Sequence, residues 1–297
     1  MSVTLEQRIA AALDAPIAPE VRAIAEELGR EAGARAVLFY GSNLRTGSLE
    51  GVLDFYVLLP GEQIERIWPR VSYREWEREG RTLRGKIATM ALATFTRAAR
   101  GGSRDTTIWA RFVQPSARAW AADEDARGEV IAAVSGAAQT AGRLAAALGP
   151  REGPAEAFWR ALFRATYSAE LRVEKAGREN DILSVNAAHF DGLLPLAWEA
   201  QGIAYERNGD RLRPDLPEAT RAAILAWWRT RERLGKPLNV LRLVKASTTF
   251  DGAARYAAWK VERHTGVPVA LTPWREKHPV LAAPAVLWRV WRARRKP

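Results

Sequence analysis

Residues 36 to 59 read AVLFYGSNLRTGSLEGVLDFYVLL: an apolar run, a Tyr-Gly-Ser turn, a polar stretch, then Asp54 inside a second apolar run. Strands are expected near 36 to 40 and 52 to 59. A carboxylate among Val52, Leu53, Phe55, Tyr56, Val57 and Leu58 is expensive to desolvate unless something positive meets it. A strand, a Gly-Ser turn and a carboxylate on the next strand are the minimal parts for gripping a nucleoside triphosphate and its metal. Gly41 lets backbone N–H groups approach a phosphate, Ser42 adds a hydroxyl donor, and Asp54 supplies a hard oxygen ligand for Mg2+. The competing account is an ordinary hairpin turn followed by a turn aspartate. The apolar neighbours of Asp54 weigh against it.

Composition narrows the chemistry. With 297 residues, 47% of them hydrophobic and 27% charged, the chain can bury a real core in one large domain or two smaller ones. It has no cysteine, which excludes disulfides, thiolate zinc sites and a cysteine nucleophile. His189, His264 and His278 are too scattered to form a metal-binding pair on one helix turn, so a metal site must be built from oxygen. The N-terminal stretch, broken by Glu6 and Asp14, lacks the apolar segment of a secretory signal. No uncharged apolar run reaches the ~18 residues needed to span a bilayer, and a cytoplasmic protein is expected. A net charge of +11 demands an anionic partner: nucleotide, nucleic acid or an acidic membrane surface.

Apolar periodicity predicts two helices over residues 5 to 33, flanking Ala-Pro-Ile-Ala-Pro. Residues 61 to 79 read as an amphipathic helix with Ile64, Ile67 and Trp68 on one face, and RTLRGKIATMALATFT as a strand and connecting turn. This mixed order predicts an α+β sheet domain over residues 1–120. From Asp123 the composition shifts to Ala-rich helices, 124 to 148 and 154 to 176. A hairpin at AYERNGDRLRP, turning at Asn208-Gly209, would be the wing of a winged-helix-like region spanning 121–235. Further helices are expected over 217 to 234 and 252 to 264, the latter within a helical segment of 236–279.

The final residues, 280–297, form a second signal. On a helical wheel Val286, Leu287, Val290 and Trp291 share one side, Arg289 and Arg292 face away, and Arg294, Arg295 and Lys296 close the end. Such a helix lies on an anionic bilayer, and Trp288 and Trp291 suit headgroup depth. A docked terminal helix with a solvated basic tip is the competing reading.

Several islands, taken in order, resemble the mitochondrial-type phosphatidate cytidylyltransferases, also called translocator assembly and maintenance proteins. FYGSNLR looks like the family's Tyr-Gly-Ser-Gly turn and VLDFYVLL like its Leu-Asp-Phe strand. WARFVQP resembles a Gly-Arg-Leu-Gln-Lys-Pro element, and RATYSAELRVEKAGR is similar to a Ser-Tyr-x-Gly-Asp-Phe-Arg-Met segment. The resemblance covers about residues 36 to 195 and the tail. It implies a nucleotidyltransferase-type sheet domain, a helical region and a peripheral membrane enzyme. That enzyme would join CMP from CTP to phosphatidic acid with Mg2+, giving CDP-diacylglycerol and pyrophosphate.

Carried over by position, the resemblance places Tyr40, Gly41, Ser42 and Asn43 at the triphosphate and Asp54 on the metal. Glu170 stands where the family has Asp, with Arg172 beside it as a phosphate contact. Asn43 replaces a usual Gly. Tyr56 occupies the position of the second Asp of the wider superfamily's Asp-x-Asp pair, an Asp this family also lacks. A phosphomonoester acceptor has a second pKa near 6 and arrives ionised, so it needs no strong base. Lys245, Lys260 and Arg263 are candidates for the lipid phosphate, with a solvated basic face as the alternative. Leu287, Trp288, Trp291, Arg292 and Arg295 would contact the membrane, and no nucleic-acid partner is expected. Two other classes remain open: a soluble nucleotidyltransferase acting on a small hydroxyl compound or RNA end, and a non-catalytic acidic-lipid-binding protein on the same scaffold.

Overall fold

The two apolar runs are strands. In the computed structural model, which describes residues 3–169, 178–249, 252–274 and 288, β1 (Ala36–Tyr40) and β2 (Leu53–Leu59) pair antiparallel with Tyr40 opposite Asp54. Ahead of them, α1 (Leu5–Leu13) and α2 (Pro19–Glu31) flank the predicted break. Thr4 and Gln7 close a reciprocal capping box on α1, and a proline opens α2, where its missing N–H removes no helical bond. Between β1 and β2 the chain makes one short helical turn, α3 (Ser42–Thr46).

Strands β3 (Arg70–Arg78), β4 (Arg81–Ala91) and β5 (Ser116–Ala121) complete a five-stranded mixed sheet in the order β3-β4-β2-β1-β5. β2 and β4 run parallel, and the other neighbours are antiparallel. Side chains alternate across a sheet, so each strand serves two cores. Val37, Phe39, Phe55, Val57, Leu83 and Ile87 form the face that α2 covers. Ala36, Leu38, Tyr56, Leu58, Ala88 and Met90 form the other, packed against α1, α4 (Leu92–Ala99), α5 (Thr107–Phe112) and α6 (Glu124–Leu148).

Helix α6 has the predicted bounds, and Asp123 caps it by accepting from the Ala126 N–H at 2.7 Å. Its alanines let neighbouring helices approach closely, and most of its length is buried. Around it lie α7 (Ala155–Ala169), α8 (Arg178–Val185), α9 (Ala187–Phe190) and α10 (Leu193–Glu199). A small antiparallel sheet joins β6 (Gly153–Pro154), β8 (Arg211–Pro214) and β7 (Tyr205–Asn208). Then follow α11 (Glu218–Thr249) and α12 (Ala253–Thr265). One core runs unbroken from the sheet into these helices, with Trp109, Trp159 and Trp198 fully buried in it. Each buried aromatic of this size contributes about 1.5–3 kcal/mol over an exposed one. Among the described residues no helix is long and apolar enough to cross a membrane.

Four expectations need correction, of which one is the connecting turn after the RTLRGKIATM strand, where the chain instead enters helix α4. Residues 61 to 79 do not form a helix: 61–69 are irregular with Ile64 92% exposed, and β3 follows. Glu79 (φ 49) and Gly80 (φ 71) make a two-residue hairpin turn, so β3 pairs along its whole length with β4. The strand buries Tyr73 on one face and Trp76 on the other, which hides a period of two in its sequence. The β7–β8 hairpin turns at Gly209-Asp210, one residue later than predicted, because Asn208 pairs with Arg211. Helix α11 continues past residue 234 to Thr249 with Pro237 inside it.

Candidate functional site

Gly41 sits at φ 93, ψ −162, a conformation essentially restricted to glycine, and a Cβ there would stand 3.1 Å from Oδ2 of Asp54. The turn after β1 thus lays its backbone directly against the carboxylate at the start of β2. Beyond the turn, the Asn43 amide donates to the carbonyls of Ser48 (2.8 Å) and Glu50 (2.7 Å), and Ser42 Oγ donates to Asn43 Oδ1 at 3.3 Å. Asn43, expected at the nucleotide, is a buried brace that holds the 42–50 loop, with its amide nitrogen already engaged. Ser42 is exposed beside it.

Asp54 lies in register with Tyr40 on β1 and Lys86 on β4, so all three belong to one face of the sheet. The carboxylate is partly buried and makes no ion pair or side-chain hydrogen bond among the described residues. Burial raises its pKa above the ordinary carboxylate value, and the charges of Lys86 and Arg111 pull it partly back. Burial lowers the Lys86 pKa, Asp54 opposes that change, and Arg111 and Lys260 reinforce it. Two cations therefore share a semi-enclosed floor with one carboxylate that makes no ion pair among the described residues.

Arg111 reaches this floor from α5, which Trp109 and Phe112 anchor in the core. Its guanidinium carbon stands 5.3 Å from the centroid of the Tyr40 ring. Behind it Tyr40, Tyr56, Phe95 and Phe112 pack with ring centroids 4.8 to 6.1 Å apart. Burial raises the Tyr40 hydroxyl and pushes Tyr56 up to about 12, so both stay protonated at neutral pH. The position two residues beyond Asp54 thus holds a buried aromatic wall, and β2 presents a single carboxylate.

Magnesium is commonly held by one or two carboxylates plus substrate phosphates. No group of three or more acidic or histidine side chains that could hold a metal exists among the described residues. Asp54 is the hard oxygen donor of this floor, beside the cations Lys86 and Arg111. One hard oxygen beside two cations is a donor set that would suit a metal ion shared with phosphate ligands.

The predicted phosphate contacts separate. Lys260 and Arg263 lie on α12, whose Tyr256 packs at a tilt against Tyr73 of β3 with ring centroids 5.4 Å apart, and the Lys260 charge is felt at Lys86. Gly252 starts that helix with φ 78, where a Cβ would meet the Tyr73 carbonyl at 2.6 Å, so only glycine allows the close docking. Lys245 donates to the Ile67 carbonyl from α11. Glu170 and Arg172 lie outside the described residues, as do Leu287, Trp291, Arg292 and Arg295. Trp288 is exposed.

Lys86 and Arg111 were not singled out from sequence. The available signal was a cation alternating with the buried Leu83 and Ile87 of β4, and an arginine between the buried Ala110 and Phe112. No protein-family model matches the chain, and no curated protein matches it.

Proposed function

We propose that the chain is a nucleotidyltransferase that joins CMP from CTP to phosphatidic acid or a related acidic phospholipid, on a nucleotidyltransferase-type sheet with a winged-helix-like region behind it. The observation that carries this reading is the contact of Gly41 with the Asp54 carboxylate, which makes no ion pair among the described residues and is flanked by Lys86 and Arg111. A polyanion with its own divalent ion fits that combination of one hard oxygen, two positive charges and a backbone without side chains.

In this reading Gly41 and Ser42 border the triphosphate, and Lys86 and Arg111 draw off its charge. Asp54 would hold a magnesium ion shared with the triphosphate, and that ion would supply further charge neutralisation. The acceptor phosphate is already ionised at neutral pH, so its oxygen forms the new bond to the α-phosphorus as the bond to the β-phosphate oxygen breaks. Pyrophosphate leaves with the electron pair. No general base is required, which accords with an aromatic ring at position 56.

The membrane side is supported by surface composition. Five of the eight large exposed apolar side chains among the described residues, Val240, Leu241, Leu271, Trp274 and Trp288, lie beyond residue 239. The decisive experiment incubates the full chain with MgCl2, labelled CTP and a panel of acceptors. Formation of CDP-diacylglycerol from phosphatidate, lost in Asp54→Asn, supports the reading. Transfer only to a hydroxyl compound or an RNA end assigns the soluble class, and no turnover with any acceptor assigns a binding protein. Pelleting with phosphatidate vesicles, weakened by removal of residues 280–297, tests the peripheral attachment.

A further inference from the structure

Next to the Asp54 floor, a cavity of about 730 Å³ opens between the 47–51 loop, the start of β4 and α12. Its lining includes Arg81, Arg84, Arg263, Trp259 and Glu50. Three guanidiniums against one carboxylate leave it strongly positive. The guanidinium carbons of Arg84 and Arg263 lie 5.5 and 5.2 Å from the Trp259 ring centroid. Arg84 is further braced by Glu75 at 3.3 Å, whereas Arg81 and Arg263 make no ion pair among the described residues. Arg263 extends over Gly51, which sits at φ 89 and where a Cβ would lie 3.0 Å from its Nη1.

These features describe a prepared anion seat. Arginine forks match phosphate oxygens two at a time, and stacking on an indole restricts the side chains before any ligand arrives. The volume is that of a small-molecule pocket, well above the need of a simple halide. Arg84 and Lys86 lie on the same face of β4, Lys86 is in register with Asp54, and the charge of Lys260 on α12 is felt at Lys86. A continuous line of cations therefore joins this cavity to the Asp54 site.

We propose that the cavity seats a phosphomonoester group, held by Arg81, Arg84 and Arg263, as the acceptor for the neighbouring nucleotide. Its role as acceptor rests on the transferase reading above; the binding itself does not. The seat assigns Arg263 to the acceptor and leaves Lys245, tied to the 61–69 loop, out of it. The seat brings two mutually repelling anions side by side along the cationic strand β4.

The test is calorimetric titration of the full chain, without nucleotide, using dihexanoyl phosphatidate, dihexanoyl phosphatidylcholine and inorganic phosphate in separate arms. The expected result is saturable binding of phosphatidate and none of phosphatidylcholine. Arg81→Ala and Arg263→Ala should each weaken phosphatidate binding by about tenfold, with Arg263→Lys intermediate and thermal unfolding unchanged. Asp54→Asn should bind phosphatidate within about twofold of the unaltered chain, which separates this seat from the nucleotide site. Inorganic phosphate binding as tightly as phosphatidate, with the same arginine dependence, supports the seat and assigns it to a soluble phosphate ester. Binding that survives both alanine substitutions, binding abolished by Asp54→Asn, or no phosphatidate binding at all overturns the proposal.

Discussion

Replacing Gly41 by alanine probes the contact on which the site is built. Two effects add. The backbone at φ 93, ψ −162 lies in a region that costs a non-glycine residue about 1–3 kcal/mol. The new methyl would also stand 3.1 Å from Asp54 Oδ2, so the carboxylate must shift by a few tenths of an ångström or the turn must open. Gly47→Ala is the matched control: it too has positive φ, 66, but nothing lies within 4 Å of its Cβ position. It should cost about 1 kcal/mol of strain with no effect on Asp54. At about 2–4 °C per kcal/mol, Gly41→Ala should lower the melting temperature by about 2–12 °C and Gly47→Ala by about 2–4 °C. Nucleotide binding separates them further. Calorimetry with Mg·CTP should show at least a tenfold loss for Gly41→Ala, equivalent to about 1.4 kcal/mol, and less than about threefold for Gly47→Ala. Equal losses of binding in the two variants, or an unaltered melt for Gly41→Ala, would refute the reasoning.

Asp54→Asn should stabilise the protein at neutral pH. The folded pKa is raised, so the folded chain holds a proton that the unfolded chain has lost, and stability falls as pH rises through that window. The amide escapes this penalty. Melts from pH 3 to 8 should show the gain at neutral pH and its disappearance below the carboxylate range; a variant less stable at pH 7 contradicts the burial argument. Arg242→Met should destabilise by about 3–5 kcal/mol, because Arg242 Nη1 pairs at 2.6 Å with Asp105, whose side chain is only 8% exposed and would be left uncompensated. Urea titration of the single variant and of Asp105→Asn/Arg242→Met checks this, since the double variant should recover part of the loss. Trp109→Ala should cost about 3–5 kcal/mol by the same measurement, as its ring is fully buried against Trp227 and Trp228 of α11. An effect below 1 kcal/mol would show that this core position is not packed as described.

Much of the scaffold could be read from local chemistry. The β1–turn–β2 order, the two N-terminal helices and the limits of α6 follow from apolar periodicity, caps and breaks that act over a few residues. The strand at 70–78 escaped because its two buried aromatics face opposite layers, and its pairing partner, rather than its own pattern, makes it a strand. The Glu-Gly turn was the one local clue.

The site divides in the same way. By itself the sequence determined that a glycine turn and one carboxylate follow each other across a strand boundary, because that juxtaposition is covalent and short-range. Only the tertiary structure decided what surrounds the carboxylate. Lys86 arrives by parallel pairing of β4 with β2, Arg111 by packing of α5 beneath α6, and Arg263 by docking of α12 on β3. Each depends on strand register and helix packing between segments distant in the chain. Charge–charge energies depend on separation and burial, not on order along the backbone.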